Sequence, residues 1–241
     1  MKKTKKWKWT EIIAIFIFAS LLISLVFSIY NLFTTPSTGV PEGDPTRSDY
    51  ALMVSQCVLG LVAMFLPAIV GRRFKFEIPG NMYLIFIIFL YCAIYLGEVR
   101  SFYYLIPNWD TILHTFSGAM LGALGFSIVS FLNEDERVTM NLSPAFVALF
   151  ALCFAVTLGV VWEFYEFTAD NLFGMNMQKT MLEDGTKLAG TAAVSDTMED
   201  LFVDFLGALT FAVIGYLNLK RKKGWMEKFE FKKTVHKTVK K

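Results

Sequence analysis

With 241 residues, 55% of them hydrophobic and only 18% charged, the chain is too apolar for a water-soluble globule. Its mean hydropathy of +0.49 points the same way, to an all-α polytopic membrane protein. The formal charge of +2 hides an uneven distribution, with lysines gathered at both ends. On a membrane protein such ends set topology and touch anionic lipid, so no nucleic-acid partner is expected. Cys57, Cys92 and Cys153 stand singly in separate apolar segments, which excludes a disulfide framework or a CxxC thiolate site.

In chain order, residues 1–11 form a basic N-terminus bearing Lys2, Lys3, Lys5, Lys6 and Lys8. The bundle proper is expected over residues 12–219. A first apolar run from Ile12 to Phe33 is too long for the hydrophobic part of a signal peptide and reads as a retained transmembrane helix. Thr34 to Asp49 is Pro- and Gly-punctuated loop. The second span runs from Tyr50 to about Val70, and the third from Asn81 to Leu96. Gly97 to Trp109 carries the Tyr and Trp of an interfacial segment. The fourth span begins at Asp110 and contains Gly118, Gly122 and Gly125, a small-residue spacing that lets a neighbouring helix approach closely. After a polar turn at 133–141, the fifth span covers Pro144 to Asp170. A polar linker from Asn171 to Ser195 is expected to be mobile, with a turn at Glu183-Asp184-Gly185, and the sixth span covers Thr197 to Leu219. Residues 220–241 form a basic, solvated tail that includes His236.

Six spans place both termini on one side. Of the 23 Lys and Arg residues, 19 fall in the termini and the two connections on that side, and 4 in the other three connections, so both termini are expected to be cytoplasmic.

The chemistry concentrates in three spans. Asp110 and His114 are four residues apart; Glu163, Glu166 and Asp170 follow i, i+3, i+7; Asp196, Asp200 and Asp204 follow i, i+4, i+8. Each set lies on one helix face. An Asp at mid-bilayer costs about 2.5–3.5 kcal/mol on insertion scales, so a row of acids implies either protonation or a shared cation. The topology sends all three sets inward from the extracytoplasmic side. Gly159 and Gly207 continue the faces of their helices and leave space beside the acids.

A divalent metal site is therefore expected. Carboxylate oxygens with one imidazole suit Zn, Mn, Fe or Mg, and facing bundle helices are where such sites are built. The candidate ligands are Asp110, His114, Glu166, Asp170, Asp196 and Asp200, with Glu163 or Asp204 as base or further ligand. Arg100, near the outer mouth, is a candidate anchor for a substrate phosphate or carboxylate, against the plainer role of pairing with Glu98. Trp162 and Tyr165 read as interhelical packing, and Glu199 points about 60° off the acid face. Three functions compete. A metal-dependent hydrolase or transferase on an envelope lipid or lipid-linked substrate is set against a cation or proton pathway, and against a structural or partner subunit. A pathway needs ionisable residues on the cytoplasmic side, which the inner halves of the last three spans lack.

Three blocks, NWDTILHTFSGAMLG, WEFYEFTAD and SDTMEDLFVDFLGA, resemble the YjdF-like family of uncharacterised bacterial inner-membrane proteins over about residues 80–215. A weaker similarity links them to VanZ-like proteins, which also set an Asp and a His at the start of one span and acids in later ones. The resemblance implies a helical bundle in a bacterial plasma membrane and weight on the eight acidic and histidine positions. It implies no substrate.

Overall fold

The computed structural model describes residues 8–41, 44–133, 142–182, 185–221 and 231–233. The remaining lysines of the N-terminus, the polar turn at 134–141, the Glu183-Asp184 pair and His236 lie outside the described residues. The described chain is helical: α1 (Trp9–Thr34), α2 (Arg47–Phe74), α3 (Gly80–Leu90), α4 (Phe102–Leu105), α5 (Trp109–Asn133), α6 (Pro144–Phe173) and α7 (Ser195–Arg221). A π-helical stretch, Tyr91–Val99, continues α3, and a 3-10 turn, Gly190–Val194, leads into α7. Six of these segments are long and apolar enough to cross a membrane: Trp9–Thr34, Arg47–Phe74, Gly80–Val99, Trp109–Leu132, Pro144–Phe173 and Gly190–Arg221.

Local chemistry explains the boundaries. At the start of α2, Asp49 accepts from the backbone N–H and the hydroxyl of Thr46 (2.7 and 2.8 Å), while the Thr46 oxygen accepts from the Asp49 N–H at 3.4 Å, a reciprocal cap. The third span continues three residues beyond its expected end because the chain widens into the π-helix before turning at Ser101, whose φ is +58°. α6 closes at Gly174, where φ is +64° and the backbone N–H returns to the Asp170 carbonyl, a left-handed helix stop that glycine adopts freely.

Large apolar side chains such as Ile23, Phe27, Phe33, Phe164 and Phe202 are exposed, while His114, Glu163, Glu166, Asp200 and Asp204 are buried. That inversion of the soluble pattern fits helices solvated by lipid, which favours apolar surface and penalises ionisable groups.

The described residues fall into two compact units. One draws on the described residues up to Met64, on Leu84–Leu113 and on those within Val161–Asp200. Within it Gly60 lies against Ile94 and Leu21, Phe16 packs on Tyr91, and the Trp109 indole N–H donates to the Cys92 carbonyl. The other draws on Phe65–Tyr83 and on the described residues within His114–Val160 and from Leu201 onward. Its core joins Phe126, Val129, Val147 and Ala151, with Phe211 and Leu219 against them. The glycines of α5 act here as expected. A Cβ at Gly118 would strike the Asp204 backbone of α7, and one at Gly207 would strike the Thr115 carbonyl of α5. At Gly125 it would meet Ala151 of α6 at 3.0 Å.

Two expectations need correction. The 171–195 linker carries a defined set of hydrogen bonds instead of being loose. Asn176 accepts from the Met181 amide and donates to its carbonyl, and an isolated antiparallel bridge joins Met181 to Lys187. The basic tail is not solvated throughout either. β2 (Lys232–Lys233) pairs antiparallel with β1 (Phe76–Glu77), and Phe231 is buried, stacked on Phe76 at 4.5 Å. An aromatic ring in a Lys-rich segment has apolar area to bury, and lysine counting alone hides it.

Candidate functional site

In the first unit acids of α5 and α7 meet a lysine from the linker. Lys179 Nζ donates to Asp110 and, at 2.8 Å, to Asp196. Burial alone would lower the Lys179 pKa, but the charge of Asp110 and the hydrogen bonds to Asp110 and Asp196 outweigh it, and the pKa is raised. The backbone that leads to Lys179 is anchored. Asp170 accepts from the backbone N–H groups of Met177 (2.7 Å) and Gln178 (3.0 Å), and the Gln178 amide donates to Thr197. Lys179 itself sits at φ +47°, a conformation rare outside glycine.

Asp170, expected among the metal ligands, thus spends both carboxylate oxygens anchoring the linker. Glu166 accepts from the Trp162 indole N–H at 2.9 Å, so Trp162 does more than pack on Tyr165. Glu163 is buried on the same helix, 5% exposed. Glu199 is exposed and accepts from Thr111, in keeping with its place off the acid face. Tyr103, from the short helix α4, has its phenol pushed well above the usual range by burial, then by the charges of Asp110, Glu98, Glu166 and Asp200. Arg100 is exposed at the end of the π-helix. Among the described residues the cation seen on the acids is Lys179, not Arg100.

Asp110 and Asp200, from α5 and α7, each bring a carboxylate oxygen within 4.8 Å of the other. One turn further along the unbroken helix α5, a ring nitrogen of His114 lies within the same distance of the Asp110 oxygen. Two carboxylates and an imidazole at such spacing form a donor set that divalent ions accept.

In the second unit His114 meets Asp204 of α7. Nδ1 of His114 is 3.3 Å from Asp204 Oδ2, and the Ser117 hydroxyl donates to Asp204 Oδ1 at 2.6 Å. Gly159 of α6 leaves room for this carboxylate: a Cβ there would stand 2.8 Å from Oδ2. A carboxylate on one imidazole nitrogen fixes the tautomer and leaves the other nitrogen as the lone-pair donor.

Sequence reasoning missed Lys179, Tyr103 and Ser117. Nothing in a linear pattern returns Lys179 to a residue 69 positions earlier. Ser117 had a usable signal, since it lies three residues after His114 on the same helix.

Six apolar spans, with acids buried within them, define a multi-pass membrane protein. The chain belongs to the family described as "Predicted membrane protein (DUF2238)", which it matches over residues 13–221. It is similar to an uncharacterized protein of Thermotoga maritima, 29% identical over 153 residues, which cover 63% of this chain and 70% of that protein. No solved structure matches the chain.

Proposed function

We propose that the protein is a divalent-metal-dependent membrane hydrolase or transferase, with Asp110, His114 and Asp200 as the protein ligands. The observation that carries this reading is the donor set itself: Asp110 with a carboxylate oxygen and an imidazole nitrogen each within 4.8 Å of its own oxygen. Asp204 supports it from behind, as the carboxylate that orients His114, and we assign it a positioning role instead of that of the base. Buried Glu163, one turn from Glu166, is the general base in this scheme. A bound divalent ion would supply a polarised phosphoryl or carbonyl oxygen and an acidified water.

The lysine and arginine distribution directs the acids to the outer face. Exposed apolar helix surface offers a lateral route for a lipid or lipid-linked substrate. The stretches of α5 after His114, of α6 before Glu163 and of α7 between Asp204 and Lys220 contain no acid, base or histidine. That pattern suits a site closed on one side and disfavours a through-going cation path.

Metal analysis of detergent-purified protein, from cells grown with Zn, Mn, Fe and Mg, tests the proposal. Wild type is expected to hold about one divalent ion per chain, with His114→Ala and Asp200→Asn losing tenfold or more. Wild type carrying none above the detergent blank would end it.

A further inference from the structure

Resting on the metal reading above, we propose that Lys179 is a tethered competitor of the divalent ion, holding Asp110 until the ion displaces it. Asp110 is the shared element. It receives the Lys179 ammonium and also belongs to the Asp110, His114 and Asp200 donor set. A carboxylate bound to an ammonium is a weaker metal ligand, and an ammonium beside a doubly charged ion is repelled by it.

The surroundings point to a built arrangement. Asp170 pins the two residues before Lys179 by their amides, Gln178 is tied to Thr197 at the start of α7, and Lys179 holds a left-handed backbone conformation. Asp196 accepts from the same nitrogen at 2.8 Å, so an ammonium leaving Asp110 retains a carboxylate partner without leaving the site. The Lys179 side chain is 36% exposed, so its nitrogen can swing toward water when the ion arrives.

Mn2+ affinity of the full chain in detergent, measured by equilibrium dialysis for wild type, Lys179→Gln and Lys179→Arg, provides the test. Lys179→Gln, which keeps the length and removes the charge, is expected to bind Mn2+ about tenfold more tightly or better, whereas Lys179→Arg stays near wild type. Unchanged or weaker binding in Lys179→Gln overturns the inference and leaves the metal reading intact. Wild type and Lys179→Gln both failing to bind overturns the metal reading and this inference with it. Wild type that binds nothing ends the metal reading whatever the variant does, and this inference, which rests on that reading, falls with it. Wild type alone gives a readout independent of the variants' folding. Acylation of Lys179 by a water-soluble amine reagent, followed by mass spectrometry, is expected to rise several-fold at saturating Mn2+. Acylation unchanged while Mn2+ is bound overturns the proposal.

Discussion

Asp110 and Asp204 are both aspartates on apolar helices, and the two units satisfy them by opposite means. In the first unit Asp110 is partly exposed and faces a full positive charge, carried in by a residue of the 171–195 linker. In the second unit Asp204 is 5% exposed and is served by a histidine ring and a serine hydroxyl from the neighbouring helix α5, with a glycine clearing its volume. A cation on a long, partly exposed side chain fits a place that water and an incoming ion reach. Short, locally supplied donors fit a place where an unpaired charge would cost several kcal/mol. The difference separates two roles for one residue type: Asp110 is held ready to exchange partners, and Asp204 is held still.

The largest effect is expected from breaking the close helix approach of the second unit. Gly207→Leu drives a side chain into the α5 backbone at Thr115, where no flexible group can yield. Overpacking costs about 1–3 kcal/mol even in forgiving cores, so monodisperse protein should be lost on size exclusion. Recovery of normal, heat-stable protein would show that α5 and α7 do not pack as described. Next comes the stillness of Asp204. Asp204→Asn keeps its size and removes the charge behind His114, and should weaken divalent binding about 10- to 100-fold with helicity unchanged. Binding equal to wild type would reduce Asp204 to packing. The smallest effect belongs to the linker. Asp170→Ala removes the acceptor of two amides, and cleavage by added protease within residues 171–182 should rise several-fold while the helices stay intact. Unchanged cleavage would mean that the linker is held by other contacts.

Much of the fold was legible because lipid imposes simple rules. Apolar runs of about twenty residues gave six spans, and the Gly118, Gly122 and Gly125 spacing announced the helix approach that the structure contains. The helical spacing of the acids also put His114 and Asp204 among the candidates that meet. The division of labour was not legible. Asp170 and Asp200 look alike in a pattern of carboxylates, yet one anchors backbone amides and the other stands within 4.8 Å of Asp110. What separates them is the path of the linker, which turns back so that the amides of Met177 and Gln178 reach Asp170, a turn that no helical periodicity encodes. The same holds for Lys179, whose partners lie 69 and 17 positions away.

Pulsed electron paramagnetic resonance of Mn2+ bound to the detergent-purified protein reports directly on the ligand at the centre of the account. A nitrogen-14 modulation from one imidazole is predicted in wild type, absent in His114→Ala and diminished in Asp204→Asn. Mn2+ bound without that modulation, or a modulation that survives His114→Ala, would contradict it.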